Sequence, residues 1–197
     1  MGFDLSGMNP KVNTEPSKLV AEVKKNWSQN YDALNEGEKN QYHEEYTKWQ
    51  ENNPGLYFRA NVWGWRPLWA YVYSLCSDVL TEEEYESCSY NDGAEISEVK
   101  AYAIAEILFK ALKDGDVEAA ILLKKAHNDA LPDEDCEYCE NGIRVMKNED
   151  GTEEEQTCNS CKGSAKVRPF NTHYSTSVDQ VKRFAIFAKE SGGFTVW

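Results

Sequence analysis

Four of the six cysteines stand as two Cys-x-x-Cys pairs, Cys136 with Cys139 and Cys158 with Cys161, separated by eighteen residues. Two thiolates placed two residues apart grip one ion from a tight knuckle, and a second knuckle completes a tetrahedral site. Gly142 and Gly163 follow the knuckles closely, where a backbone without a Cβ can turn beneath the sulfurs. Ile143-Arg144-Val145 and Gln156-Thr157 read as two strands, with Asn148-Glu149-Asp150-Gly151 as the turn between them. Residues 132–170 are therefore expected to form a zinc-ribbon module holding one Zn2+ per chain. Four cysteines leave no open position for a substrate, so the expected metal is structural rather than catalytic. An iron–sulfur cluster also uses four cysteines, and the spacing leaves that alternative open.

The rest of the chain reads as mostly helical. Leu19, Val20, Val23, Trp27, Tyr31 and Leu34 give residues 17–34 one apolar face, and Asn35 with Glu38 forms a capping-box start for a helix reaching about Gln50. Asn52-Asn53-Pro54-Gly55 ends it. Arg66-Pro67 is expected to open the next helix, Thr81 with Glu84 a short acidic one, and Val99 to Leu112 carries a clear helical period. Asp116 starts a helix over 117–130, and Ser177 with Gln180 caps a last one before Gly192-Gly193. Residues 2–8 and 194–197 read as strands that pair. The expected fold class is α+β: a mostly helical body with a few short strands, built from residues 1–131 plus 171–197, with 11–55 as a helical hairpin insertion and 132–170 as the inserted zinc ribbon.

Charge and hydropathy exclude several partners. Asp and Glu number 34 against 21 Lys and Arg, and no block of the chain has the basic excess that a phosphate backbone requires, so duplex nucleic acid is not an expected partner. The longest apolar stretch, Val62 to Leu80, is broken by Arg66, Pro67 and Asp78 and falls short of the roughly 20 apolar residues of a membrane span. The start, Met1-Gly2-Phe3-Asp4-Leu5, lacks the basic segment of a secretion signal. The expectation is a cytoplasmic, acidic protein, in which six cysteines serve as thiols or ligands rather than disulfides.

A second cluster combines flat rings with guanidinium groups: Tyr57, Arg59, Asn61, Trp63, Trp65, Arg66 and Trp69. Such groups stack a base and hold phosphate, or anchor a protein partner. Trp63 and Trp65 share a face if the segment is extended, with one ring left at the surface beside an arginine. Arg59, Asn61, Trp63, Trp65, Arg66 and Asp92 are the candidate residues for binding a ligand or partner. No catalytic residue is assigned. His43, His127 and His173 are scattered, and Cys76 falls on an apolar helix face.

Met1-Gly2-Phe3-Asp4-Leu5, the run Tyr57-Phe58-Arg59-x-Asn61-Val62-Trp63-x-Trp65-Arg66-Pro67-Leu68, Tyr90-Asn91-Asp92-Gly93, and the ending Ser191-Gly192-Gly193-Phe194 carry a resemblance across nearly the whole chain. Together with the two knuckles, they resemble an uncharacterised protein family of bacteriophages and bacteria. That resemblance implies a phage or prophage product in a bacterial cytoplasm and brings no activity with it. The knuckles are also similar to the cysteine-rich region of DnaJ-type chaperones, but they number two rather than four, and Cys139-Glu140-Asn141-Gly142 and Cys161-Lys162-Gly163-Ser164 depart from the C-x-x-C-x-G-x-G repeat. The functional expectation is a zinc-binding accessory protein that binds a host protein without catalysis. The alternative is a nucleotide or small-ligand binding protein, or a hydrolase, using the Trp/Arg cluster and Asp92.

Overall fold

A computed structural model describes residues 2–148 and 151–197. Glu149 and Asp150 of the expected ribbon turn, and Met1, lie outside the described residues. The chain divides into two units: residues up to Ala119 together with Thr176–Trp197, and Ala120–Ser175.

The first unit is α+β. Its strands β1 (Gly2–Gly7), β2 (Tyr57–Asn61), β3 (Ala94–Ile96) and β8 (Phe194–Val196) form one antiparallel sheet in the order β2-β1-β8-β3. The two terminal segments do pair: Leu5 stands opposite Val196, and Asp4 and Trp197 exchange backbone hydrogen bonds of 2.8 Å. Alternation sends Phe3, Leu5, Phe58, Ala60, Ile96, Phe194 and Val196 to a buried face, while Ser6, Arg59 and Glu95 on the other face are exposed.

Three helices of the same unit, α4 (Val62–Cys76), α6 (Glu98–Asp114) and α8 (Val178–Glu190), add many buried apolar residues. Phe184 of α8 meets Phe58, Trp65 and Phe194 edge-on, with ring centroids 5.4–5.9 Å apart. The start of α4 differs from the sequence expectation. The side chain of Asn61 accepts from the Gly64 N–H at 2.9 Å and opens the helix at Val62, so Pro67 lies inside it rather than at its first turn. Trp63 and Trp65 are therefore helical, not extended. Trp65 and Trp69, one turn apart, stack at 5.3 Å on the buried face with Leu68, Val72 and Cys76, and their indole N–H groups donate to the carbonyls of Cys88 and Tyr85. Trp63 points away and is 37% exposed. Lys100 of α6 bonds Glu84 of α5 (Glu82–Ser87) at 2.5 Å, and Thr81 and Glu84 make the expected reciprocal cap.

Residues 18–52 form three helices, α1 (Lys18–Lys25), α2 (Trp27–Asp32) and α3 (Glu36–Asn52), around Val20, Val23, Tyr42 and Trp49. The single helix expected over 17–34 is broken at Asn26, where φ is -150°. The Asn30 side-chain amide donates to the Glu22 carbonyl at 2.7 Å, taking up a group that a continuous helix would have bonded. Buried Asn53 ties α3 to the preceding loop, accepting from the Asn13 and Thr14 N–H groups and donating to Thr14 and Trp49. At one end of the sheet Gly7 lies against the Gly55 carbonyl and Gly55 against the Glu190 carbonyl, so close that a Cβ at either position would collide with backbone. Of the caps expected later in the chain, Ser177 accepts from the Gln180 N–H, but the Gln180 side chain turns to Thr176 instead of closing a box.

The second unit contains most of α7 (Asp116–Ala130) and two small antiparallel ladders, β4 (Glu134–Asp135) with β7 (Lys166–Val167), and β5 (Ile143–Lys147) with β6 (Glu153–Thr157). The Gly151 N–H bonds the Asn148 carbonyl and the Asn148 N–H bonds the Thr152 carbonyl, closing the hairpin. Arg168 ties the ribbon to the end of α7, bonding Asp133 and the carbonyls of Leu131 and Asn128. No described helix is long and apolar enough to cross a membrane.

Trp65→Ala is expected to destabilise the first unit by about 3–5 kcal/mol, the range for deleting a buried indole. Arg66→Ala, on the exposed face of the same helix, should change stability by less than about 0.5 kcal/mol. Urea unfolding followed by tryptophan fluorescence measures both.

Candidate metal centre

Each knuckle ends in a run of left-handed backbone. Asn141 and Gly142 have φ of 49° and 87°, and Lys162 and Gly163 have φ of 54° and 86°. Backbone amides point at the sulfurs: the N–H groups of Ser160 and Cys161, inside the second knuckle, reach Cys158, and that of Gly142, in the first left-handed turn, reaches Cys139. The two knuckles also lock together through their glycines. The Cys158 N–H donates to the Gly142 carbonyl at 2.8 Å, and a Cβ on Gly142 would run into the Gly163 carbonyl. Cys136 is held from the other side, its N–H donating to the Ala165 carbonyl at 2.9 Å.

The four sulfurs of Cys136, Cys139, Cys158 and Cys161 lie within 4.8 Å of one another, with Cys136–Cys158 at 3.8 Å and Cys139–Cys161 at 3.6 Å. Metal–sulfur bonds of about 2.3 Å give a tetrahedron with edges of about 3.8 Å, so the donor set fits one Zn2+. None of the six cysteines is in a disulfide. The electrostatics ask for a cation. The Cys161 and Ser160 amides hold the Cys158 thiol down to about 6, while burial and the neighbouring thiols of Cys161 and Cys136 push Cys139 up to about 12. Four sulfurs packed this closely cannot all ionise unless a positive charge sits among them. The ligand set is closed, which suits a structural metal.

The other sequence candidates do not converge. Arg59 lies on the open face of the sheet, its Nε 3.5 Å from Asp4, beside Tyr57, whose hydroxyl donates to the same carboxylate. Burial, then the Asp4 hydrogen bond, pushes the Tyr57 phenol up to about 12. Asn61 is used as the cap of α4. Trp65 is wholly buried, so the expected surface stacking falls to Trp63 alone. Arg66 is exposed on α4, and Asp92 is exposed in the turn before β3. A depression of about 340 Å³ gathers Tyr57 and Arg59 with Arg183, Gln50 and Glu51, and includes neither Trp63, Arg66 nor Asp92. Arg183, which sequence reasoning did not single out, stands 5.7 Å over the Phe58 ring and makes no salt bridge among the described residues. His43 bonds the Tyr31 hydroxyl at 2.7 Å, and His127 and His173 lie in the second unit. None of the three lies in the cysteine cluster.

The ribbon's other notable residues are apolar and outside. Ile143, Val145 and Met146 of β5 are 44–57% exposed, and Tyr138 and Phe170 more so. The signal in the sequence was a strand of apolar residues with no apolar partner strand: opposite them stand Thr157, Glu155 and Glu154.

Comparison with known protein families, with curated proteins and with solved structures finds no match to the chain.

Elemental analysis of freshly purified, reduced protein is expected to give one zinc per chain. Iron with visible absorption would instead mean a cluster. Ligation replaces protons on the thiols, so zinc should be released to a chromophoric chelator as pH falls from neutral toward about 5. Cys158→Ser should abolish zinc retention and unfold residues near 136–165 while most of the helical circular dichroism remains. Buried Cys76 and Cys88, their thiols pushed up to about 11 and about 12 by burial, should stay unreactive toward a thiol reagent after chelation exposes the other four.

Proposed function

We propose that the chain is a zinc-binding accessory protein of a bacteriophage or prophage that works without catalysis, by holding a host protein in the bacterial cytoplasm. The observation that carries this reading is how the ribbon spends its side chains. Among its described residues from Pro132 to Phe170, only Cys136, Cys158, Cys161, Gly142 and Pro169 are buried. Metal ligation replaces an apolar core, and Ile143, Val145 and Met146 are left at the surface of the hairpin. Exposed apolar groups are what a protein partner buries. Glu153, Glu154 and Glu155 on the paired strand favour a partner with an apolar patch edged by Lys or Arg. A closed four-thiolate site and dispersed titratable groups favour binding over chemistry.

One observation favours the alternative of a small anionic ligand: Arg59 and Arg183 line the same depression. A nucleotide phosphate would be held there by guanidinium groups.

The zinc-loaded protein, immobilised in bacterial lysate, is expected to retain a defined host protein. The combined variant Ile143→Ser, Val145→Ser, Met146→Ser should keep its zinc and lose at least about tenfold of that capture, the loss of one or more hot-spot side chains. Capture unaffected by the hairpin variant would remove the ribbon from the interface. Calorimetric nucleotide binding that Arg59→Ala abolishes would favour the small-ligand reading instead.

A further inference from the structure

Helix α7 presents a row of side chains that its own chain leaves uncovered. Ala119, Leu122, Leu123, Ala126 and Ala130 follow the period of one helix face, and all five are exposed. Leu122 and Leu123 are 65% and 73% exposed, and Val117 is the one buried residue of the fifteen in the helix. By contrast α6 turns Ala101, Ile104, Ala105, Leu108 and Ala111 to the core. A helix that had only to be solvated would carry polar side chains along such a row.

The middle of the row reads alike in both directions. Ala119 lies three residues before Leu122, and Ala126 three residues after Leu123. That is the arrangement of a patch that fits itself, as a two-fold interface requires. We propose that α7 is a self-association surface, through which two copies of this chain pair with their α7 helices antiparallel, about an axis passing between Leu122 and Leu123. Leu122 of one copy then lies against Leu123 of the second copy. Ala119 lies against Ala126, and these small residues let the helices approach closely on both sides of the leucines.

Charge selects the same arrangement. Glu118 and Lys125 are two helical turns apart on one flank of the row. In an antiparallel pair, the flank of one helix meets the same flank of the other, so Glu118 faces Lys125 of the second copy, twice per dimer. Glu118 makes no salt bridge among the described residues, and Lys125 bonds Asp129 of its own helix at 2.5 Å, which leaves ammonium protons for a second carboxylate. Parallel pairing would forgo both ion pairs and align the two helix dipoles. Fifteen residues per copy fall short of the roughly 20–30 on each side of a standard interface, so the association is weak and reversible, on the order of micromolar.

Sedimentation velocity on the zinc-loaded full chain, from low to several hundred micromolar, tests this. The mass is expected to rise from one chain to two. The combined variant Leu122→Glu, Leu123→Glu should remain monomeric throughout, with circular dichroism and zinc content unchanged. Glu118→Lys and Lys125→Glu should each weaken the dimer by about tenfold, and the two together should restore it to within about fivefold, the signature of a direct pair. The charge series decides the matter if the leucine variant misfolds. A parent that stays monomeric overturns the proposal, as does a dimer untouched by the leucine change or a double charge reversal no better than the singles.

Discussion

Strand β8 enters the sheet between β1 and β3, and the apolar body depends on that insertion. β1 and β3 do not pair with each other; each is joined to the sheet's far side only through β8. Phe194 and Val196 then project into the cluster of Phe184, Phe187 and Phe58, and Trp65 with Trp69 closes over it from α4. The strand that completes the sheet lies nearly the whole chain away from the strand it joins, so its pairing carries a large loop-closure cost. Burial of the aromatic rings offsets that cost, each ring removing 150–250 Å² from water. Without β8 the sheet would be reduced to the β1–β2 pair, with β3 unattached.

The second unit is held by a different force. Its ladders are two to five residues long and mostly exposed, with Val167 of β7 packed against the cysteines. Such pairs are marginal by themselves. The cluster of sulfurs supplies what burial supplies elsewhere, and the amides of Gly142, Ser160 and Cys161 stand where the sulfurs need donors. Being relieved of core packing, the hairpin can carry apolar side chains outward at little cost to its own stability. The two units are thus held together differently, one by a buried aromatic core and the other around four clustered sulfurs.

Much of this was legible from local signals. The two knuckles, the caps at Asn35 and Thr81, and the strand character of each terminal segment followed from residue type at fixed spacing, because the responsible interactions span only a few residues or a simple alternation. What was not legible depends either on local caps that compete with a more conspicuous signal or on partners distant in sequence. The break at Asn26 is stabilised by Asn30 and the side chains packed around Tyr42, and an amphipathic pattern alone cannot register it. The early start of α4 reflects a cap at Asn61 that outweighs the more conspicuous Pro67. β3 is three residues long and exists because β8 offers it an edge. Among the candidate binding residues, nearness in sequence misled: Trp65 turned inward by one helical step, while Arg59 found its companion in Arg183, more than a hundred residues later.

The backbone crossing at Gly7, Gly55 and Glu190 bears on how sequences of this fold can diverge. Three chain segments meet there with carbonyls where side chains would stand, and the sequence offers no way to relax that packing short of moving a strand. A drifting lineage can exchange one aromatic ring for another in the core and can rewrite the ribbon's outer face freely. It cannot easily replace Gly7 or Gly55, nor Gly142 beneath the knuckles. Distant relatives are therefore better sought by this spaced set of glycines, read together with the two Cys-x-x-Cys pairs, than by the tryptophan-rich run that first catches the eye.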